Sequence, residues 1–286
     1  MIKLYLRAII AFSILLLFLF PGYSCTETQG REIELFALRY GKSEFQNNYV
    51  FHNGKKGGIP FAWMFWVVRD GSEIYLIDCG IKDEKLIAAW KIQEYSKPVT
   101  LLEKLNIGKK DIAGIIITHL HPDHFDGALF FPDSTFFLQK DEYVAIEKAF
   151  RKATHQSFCN GYKKSHYIFL KKLLEQDRLI LISGNQMITH EISVRYAPFH
   201  TAGMQNMVVR TGGKDYLFVS DNAYLYQNIE KEHAPGIYFN LKGNLDYLKK
   251  VNSLDPENNV VIPGHDPEVF TRFPMVRGLK DIVKLN

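Results

Sequence analysis

Short runs of apolar residues recur along the chain, with lengths that suit strands. Each run is rich in Val, Ile, Phe or Tyr, and Gly, Asp, Asn or Pro stands near its ends. The pattern predicts strands over residues 33–40, 61–68, 74–79, 113–118, 134–139, 191–197, 205–210, 215–220 and 258–263.

Polar and apolar residues at helical spacing fill much of the sequence between these runs. They predict helices over residues 83–95, 99–106, 141–153, 165–176 and 244–254. Because strands are mixed with helices, the expected fold class is α/β, with helices packed on sheets. With 286 residues, of which 47% are hydrophobic, the chain can bury one large core or two small ones.

Four of the predicted strands lead into a residue that can bind a metal ion. They run into His119, His200, Asp221 and His265. Ligands of α/β proteins commonly bind beyond the carboxyl ends of strands, and strands hold such groups more accurately than mobile loops do. We therefore expect these four side chains to lie close together.

The first of these strands continues into the segment "THLHPDHFDG". Imidazole nitrogens and carboxylate oxygens suit zinc and neighbouring divalent metals. His119 and His121 are two positions apart, so they point the same way in extended backbone. Asp123 and His124 are adjacent, so they point differently and can serve a second ion. Such a dense cluster rarely arises by chance.

The other histidines are weaker signals when taken one at a time. A lone histidine is commonly a hydrogen-bonded structural residue, and an aspartate after a strand is commonly a turn or capping residue. This alternative stays open for His200, His265 and Asp221. It is our interpretation of the remaining histidines, which are His52, His155, His166, His190 and His233.

Taken together, the motifs resemble those of the metallo-β-lactamase superfamily. The His-x-His-x-Asp-His segment is followed by "FHTAG", "SDNAY" and "PGHD", in the family's order and over about residues 32 to 270. "LIDCG" is similar to the family's Asp-x-Gly element, whose aspartate, here Asp78, supports the metal ligands from behind. The resemblance implies an αββα sandwich, which we assign to one hydrolase domain over residues 25–286.

The resemblance also implies two divalent metal ions, most simply Zn²⁺, and a hydroxide that bridges them and attacks the substrate. Asp123 and Asp221 then belong to the catalytic centre as well as to the ligand set. The implied ligands are His119, His121 and His200 for one ion, Asp123, His124 and His265 for the other, and Asp221 for both.

Within the superfamily the chain resembles the exported N-acyl homoserine lactonases, which open the lactone ring of signalling molecules and so quench quorum sensing. Tyr224 lies three residues after Asp221, as in those enzymes, where the hydroxyl reaches the substrate carbonyl. Packing beside Tyr226 is the alternative role. Four other branches fit less well. The similar β-lactamases lack the bridging aspartate, and the diiron redox proteins have Glu in place of the second histidine. The RNA-processing branch has extra phosphate-binding motifs, and the glyoxalase II branch has a glutathione-binding C-terminal extension. We find no clear counterpart of either in this sequence.

The aromatic run "GIPFAWMFW" resembles the strand that lines the acyl pocket of those lactonases. Alternating aromatics on a strand are more often part of the core, which is the alternative role. The pocket hypothesis names Phe61, Trp63, Met64, Phe65 and Trp66.

Two other functions remain open. One is an exported dinuclear hydrolase for another lactone, an aryl ester or a phosphodiester. The other is a metal-binding protein without turnover, against which the complete ligand set counts. The net charge of +4 includes no long run of one sign, so no nucleic-acid partner is expected, and the expected partner is a small acyl lactone.

The first 24 residues are predicted to be a signal peptide. Lys3 and Arg7 precede a 13-residue apolar stretch, and Gly22 and Ser24 suit cleavage after residue 24. A periplasmic or secreted protein is therefore expected, whose formal charge falls from +4 to +2 when Lys3 and Arg7 are removed. Lipidation of Cys25 is the alternative, and it would be the only membrane attachment.

Overall fold

The computed structural model describes residues 33–152, 156–159 and 161–286. The predicted signal peptide, Cys25 and His155 lie outside the described residues. A mixed seven-stranded sheet has the order β14-β1-β2-β3-β4-β5-β8. Its strands are β1 (Ile33–Gln46), β2 (Gly58–Asp70), β3 (Glu73–Ile77), β4 (Ile112–Ile116), β5 (Phe136–Gln139), β8 (Leu179–Ile182) and β14 (Ile282–Lys284).

A second, five-stranded sheet has the order β13-β12-β11-β10-β9, in which only the β12–β13 pair is parallel. Its strands are β9 (Gln186–Met187), β10 (Ile192–Tyr196), β11 (Gln205–Thr211), β12 (Lys214–Ser220) and β13 (Asn259–Pro263). A short hairpin of β6 (Phe158–Cys159) and β7 (Tyr162–Lys163) belongs to neither sheet.

The helices vary from single turns to about three turns. They are α1 (Asn47–Val50), α2 (Glu84–Ala89), α3 (Pro98–Glu103), α4 (Pro122–Phe125), α5 (Lys140–Lys152), α6 (Lys164–Glu175), α7 (Tyr226–Glu230), α8 (Leu241–Asn252) and α9 (Val269–Arg272). Two 3₁₀ turns cover Lys109–Asp111 and Asp126–Phe130. Within the described residues no helix is both long and apolar enough to cross a membrane.

The apolar core separates into layers because the side chains of each strand alternate between two faces. On β2, Met64 and Trp66 join the core cluster that includes Met207 and Phe218 of the second sheet. Trp63 and Phe65 of the same strand face the opposite cluster, which includes residues of α3, α5 and α6. A third cluster joins the far side of the second sheet to α8. The resulting order is helix, sheet, sheet, helix, as the αββα expectation requires.

All nine predicted strands are present, although several have shifted ends. The predicted helix over 83–95 stops at Ala89, since Lys91 and Glu94 both adopt positive φ. The prediction missed the short strands β6 to β9 and β14, which span only two to four residues each. Cys79 and Cys159 are both free thiols.

Candidate metal centre

The carboxyl ends of β4, β10, β12 and β13 deliver the predicted ligands to one place. The segment after β4 is extended through His121, and Pro122 then begins α4 because its fixed φ suits a first helical position. Two groups of ligand atoms result, each with all its atoms within 4.8 Å of one another. They are His119, His121, His200 and Asp221 in the first group, and Asp123, His124, Asp221 and His265 in the second.

Asp221 stands between the two groups and turns one carboxylate oxygen towards each. Its Oδ2 lies 3.4 Å from Nε2 of His200 and 3.6 Å from Nε2 of His119. Its Oδ1 lies 3.0 Å from Nε2 of His265 and 3.2 Å from Nε2 of His124. Asp221 is thus the residue that both groups would share.

The far nitrogens of four imidazoles are held by neighbours, which fixes the ring orientations. Nδ1 of His200 lies 2.9 Å from the carbonyl oxygen of Ile237, and Nδ1 of His265 lies 3.0 Å from that of Ala62. The other two contacts are Nδ1 of His119 with Thr118 Oγ1 at 3.1 Å and Nδ1 of His124 with Asp78 Oδ2 at 2.8 Å. These four rings therefore present Nε2 to the centre.

His121 has the opposite orientation. Its Nδ1 faces Nε2 of His200 at 2.9 Å, whereas its Nε2 lies beside Gly161 of the β6–β7 turn. It is also the one partly exposed histidine of the two groups.

The donor set fits divalent metal ions. Nε2 of His119 is buried without a hydrogen-bond partner, although buried nitrogen atoms normally have one. Burial lowers the pKa of His119 and of His200, and it lowers that of His121 to about 3, so these imidazoles are neutral at pH 7. Neutral imidazole is the form that binds metals.

The second group holds more negative charge. Burial opposes a proton on His124, but the carboxylates of Asp123, Asp221 and Asp78 outweigh burial and raise its pKa. Burial likewise opposes ionisation of Asp221, yet His124 and His265 hold the pKa of that carboxyl well below its usual value. The buried carboxylates thus attract positive charge, which a cation would supply.

Asp78 joins the end of β3 to the segment after β4. Its Oδ1 accepts the backbone N–H of Thr118 at 2.7 Å, and its Oδ2 accepts the Thr118 hydroxyl at 2.8 Å as well as facing His124. Asp78 is fully buried and adopts φ 61°, which is uncommon for a residue other than glycine. Its carboxylate thus faces Nδ1 of His124, whereas Asp221 faces Nε2 of the same ring.

A cavity of about 570 Å³ opens onto the two groups and is mostly aromatic. Phe61 stacks on the ring of His265, with centroids 4.2 Å apart, and Trp63 stacks on Trp90 of the segment after α2 at 5.2 Å. Residues that line the cavity include Phe45, Tyr49, Phe61, Trp63, Leu86, Trp90, Phe158, Tyr224 and Ile237.

The predicted pocket strand lines this cavity only with Phe61 and Trp63. Met64 and Trp66 point between the two sheets, and Phe65 is fully buried further along the strand, so their assignment to the pocket is corrected. The physical reason is that strand side chains alternate between two faces. Only one face of β2 points towards the cavity, and it reaches the cavity only at one end of the strand.

Tyr224 lines the cavity and lies beside two of the predicted ligands. Its ring is 5.8 Å from that of His200 and 5.6 Å from that of His265, centroid to centroid. Burial raises the pKa of its hydroxyl well above the usual value, so the group remains a hydrogen-bond donor at neutral pH.

Sequence reasoning missed several residues around the site. Phe45, Tyr49 and Trp90 had no motif to mark them. Glu142 and Lys163 are buried charged residues, and nothing in the sequence distinguishes them from ordinary polar residues in or near a helix. Of the histidines interpreted as structural, His166 pairs with Asp126, His233 contacts the carbonyl oxygen of His52, and His190 is exposed beside Glu191.

The chain is similar in sequence to known proteins. The family description "Metallo-beta-lactamase superfamily" matches residues 61–265. An N-acyl homoserine lactonase from Bacillus cereus is 25% identical over 181 residues, which are 62% of this chain and 65% of that protein. N-acyl homoserine lactonase AttM from Rhizobium radiobacter is 26% identical over 188 residues, 61% of this chain and 66% of the relative. The chain thus matches slightly less than two thirds of the length of these relatives.

The fold also matches a solved structure. It is an N-acyl homoserine lactone hydrolase with the product N-hexanoyl-L-homoserine at its catalytic metal centre. The TM-score is 0.69 at 20% identity, and the superposition covers 85% of this chain and 96% of the other. This likeness shows a shared fold.

Proposed function

Because the chain belongs to the metallo-β-lactamase superfamily, we propose that it is a dinuclear metal-dependent hydrolase that opens the lactone ring of N-acyl homoserine lactones. The observation that carries the proposal is the position of Tyr224. Its hydroxyl-bearing ring lies beside His200 and His265, and it lines an aromatic cavity that opens onto the candidate ligands. Curated relatives with lactonase names support the substrate class.

The two groups of ligands would hold one ion each, with Asp221 shared. When bound, divalent ions would supply Lewis acidity and would lower the pKa of a water molecule, so that a nucleophile exists at neutral pH. Zinc is the proposed metal, since imidazole and carboxylate donors suit it. Asp221 keeps the two groups at a fixed separation, and Asp78 fixes the orientation of His124.

Three features of the chain then act on a lactone. The Tyr224 hydroxyl donates a hydrogen bond to the carbonyl oxygen as negative charge develops on it. The carboxylate of Asp123 lines the cavity, where it would accept a proton from the attacking oxygen and then donate it to the alkoxide oxygen that ring opening releases. The aromatic walls bind an apolar acyl chain by excluding water from it.

A matched substrate panel tests the proposal. It contains hexanoyl and decanoyl homoserine lactones, an aryl ester, a phosphodiester and a β-lactam, with Asp221→Ala protein purified in parallel to detect contaminating activity. We expect kcat/KM for at least one acyl homoserine lactone to exceed that for every other class by about 100-fold or more.

The alternative is an esterase or phosphodiesterase built on the same centre. Its support is the general nature of the ligand set, which many hydrolytic reactions can use. A phosphodiester or aryl ester that is turned over faster than every acyl lactone would establish this alternative. We further propose that the protein acts after export, because acyl lactone signals cross the cell envelope.

A further inference from the structure

Glu142 is a buried carboxylate outside both groups of candidate ligands. It lies in the first turn of α5, and its side chain is inaccessible to solvent. Its Oε1 accepts the backbone N–H of Leu120 at 3.1 Å. Its Oε2 accepts the Thr201 hydroxyl and the backbone N–H of Gly203, each at 2.9 Å.

These contacts join two loops that carry the first group of ligands. Leu120 separates His119 from His121, and Thr201 directly follows His200. The first loop follows a strand of the seven-stranded sheet, and the second follows a strand of the five-stranded sheet. A single buried carboxylate therefore forms hydrogen bonds with both loops.

The second loop also packs tightly against the helix that carries Glu142. A Cβ atom at Gly203 would lie 2.0 Å from the backbone nitrogen of Glu142. Only glycine permits this approach. Contact with Glu142 thus accounts for Thr201 and Gly203 in the segment "HTAG".

The second group of ligands has separate support. His124 is held by Asp78, and His265 is held by the carbonyl oxygen of Ala62. Two buried carboxylates therefore serve different halves of the centre, Glu142 the first and Asp78 the second.

We propose that Glu142 is a positioning residue for the metal site formed by His119, His121 and His200, and that its loss weakens that site selectively. This rests on the proposed function only in that the centre must bind metal.

The substitution Glu142→Gln is a sharp test because the known partners of the carboxylate are donors. Besides the two backbone N–H groups and the Thr201 hydroxyl, the Tyr162 hydroxyl forms a hydrogen bond with it. A glutamine has one acceptor oxygen, so its NH₂ group must face a donor on one side. The shape of the side chain is kept, but one loop is released.

The experiment measures metal binding directly. The metal-free proteins are titrated with Zn²⁺ by calorimetry and with Co²⁺ while the visible d–d bands are recorded. We expect Glu142→Gln to bind one ion like the wild type and the other about 10- to 100-fold more weakly, with changed cobalt bands. Glu147→Gln, on the same helix, is the matched control and should behave like the wild type.

A second pair of variants covers the case in which Glu142→Gln does not fold. Thr201→Val removes one donor to Glu142 at nearly constant shape, and Thr201→Ser keeps it. Weaker binding of one ion in Thr201→Val, with recovery in Thr201→Ser, supports the proposal. Wild-type affinities and spectra in both Glu142→Gln and Thr201→Val overturn it, as does equal loss of both ions.

Failure of the Glu142 proposal can be distinguished from failure of the proposed substrate. Wild-type protein that binds two ions but opens no lactone would refute the proposed substrate and leave the Glu142 test intact. Wild-type protein that binds no divalent ion would refute the metal centre and the role of Glu142 together.

Discussion

Gly161 lies directly against His121. A Cβ atom at Gly161 would be 2.5 Å from Nε2 of that imidazole, and the glycine has φ +81°. The β6–β7 turn therefore limits how far the ring can swing away from His200. No other candidate ligand in the described part of the chain is partly exposed, so this contact acts on the most exposed of the candidate ligands.

The first prediction follows from that contact. Gly161→Ala should lower kcat/KM about 10-fold or more and weaken binding of one metal ion, because the methyl group displaces His121. Gly278→Ala is the matched control, since Gly278 has φ +77° but no atom within 4 Å of an added Cβ. Both variants carry the same backbone strain. Equal metal affinities in the two would show that the contact with His121 has no consequence.

The second prediction concerns Asp221. Wild-type protein should hold about two metal ions per chain by elemental analysis, since each carboxylate oxygen of Asp221 faces a different ligand group. Asp221→Ala should lose one ion or both and lower kcat by two to four powers of ten, roughly. Its far-ultraviolet circular dichroism should stay that of the wild type. Near-normal turnover at normal metal content would mean that another residue bridges the ions.

The third prediction separates catalysis from packing at Tyr224. Tyr224→Phe keeps the ring and removes the hydroxyl, so kcat/KM for a decanoyl homoserine lactone should fall about 10- to 100-fold at unchanged metal content. Tyr226→Phe is the control, because that ring lies in the core between the sheets. Equal rates in the wild type and in Tyr224→Phe would reduce Tyr224 to a packing residue.

The fourth prediction concerns pH and the buried ion pairs of Asp126. Its Oδ1 lies 2.5 Å from Nζ of Lys163 and 2.9 Å from Nε2 of His166. Burial opposes ionisation of Asp126, but these two partners outweigh it and hold the pKa of the carboxyl well below its usual value. The ionised form thus stabilises the fold above the unfolded pKa of about 4, and this stabilisation is lost as pH falls towards the folded pKa.

Asp126→Asn should therefore lower Tm by roughly 10 °C at pH 7, since a cation is left without its buried partner. The difference in Tm between the two proteins should narrow as the pH falls below about 4. Thermal unfolding followed across this range is the measurement. A difference in Tm between the two proteins that stays constant down to pH 2 would contradict the assigned role of the Asp126 carboxylate.

The fifth prediction concerns export. In a Gram-negative host the chain should be cut after Ser24 and recovered from the periplasm or the medium. Intact-mass measurement reads the cleavage site. A mass gain of a diacylglycerol and a fatty acid on Cys25 would replace this outcome by lipidation, and a chain that still starts at Met1 would contradict both.

The strand pattern and the ligand motifs could be read from the sequence because each depends on local spacing. Nine apolar runs became strands, and the residues after four of them meet at one edge. The clustering of His119, His121, Asp123 and His124 depends on little more than an extended segment followed by Pro122. His200 and His265 were weaker signals, since nothing local distinguishes them from structural histidines.

The residues that sequence reasoning missed are linked to the site across long separations. Glu142 touches Leu120 and Gly203, and Trp90 stacks on Trp63, pairs that only the folded chain brings together. Met64 and Trp66 were assigned to the wrong environment because alternation shows that a strand has two faces without showing which reaches the cavity. Phe65 shares the face of Phe61 and Trp63 but lies beyond the cavity, and the pattern does not show where along the strand the cavity ends.

Each candidate metal site takes ligands from both sheets. His119 and His121 follow a strand of the seven-stranded sheet, and His200 follows a strand of the five-stranded sheet. Asp123 and His124 are joined to His265 in the same way. An ion bound at either site would cross-link segments some eighty or more residues apart in the chain, so the free energy of binding would oppose separation of the sheets. Removal of the metal ions by a chelator should therefore make both sheets sensitive to protease together, rather than only the edge of one sheet.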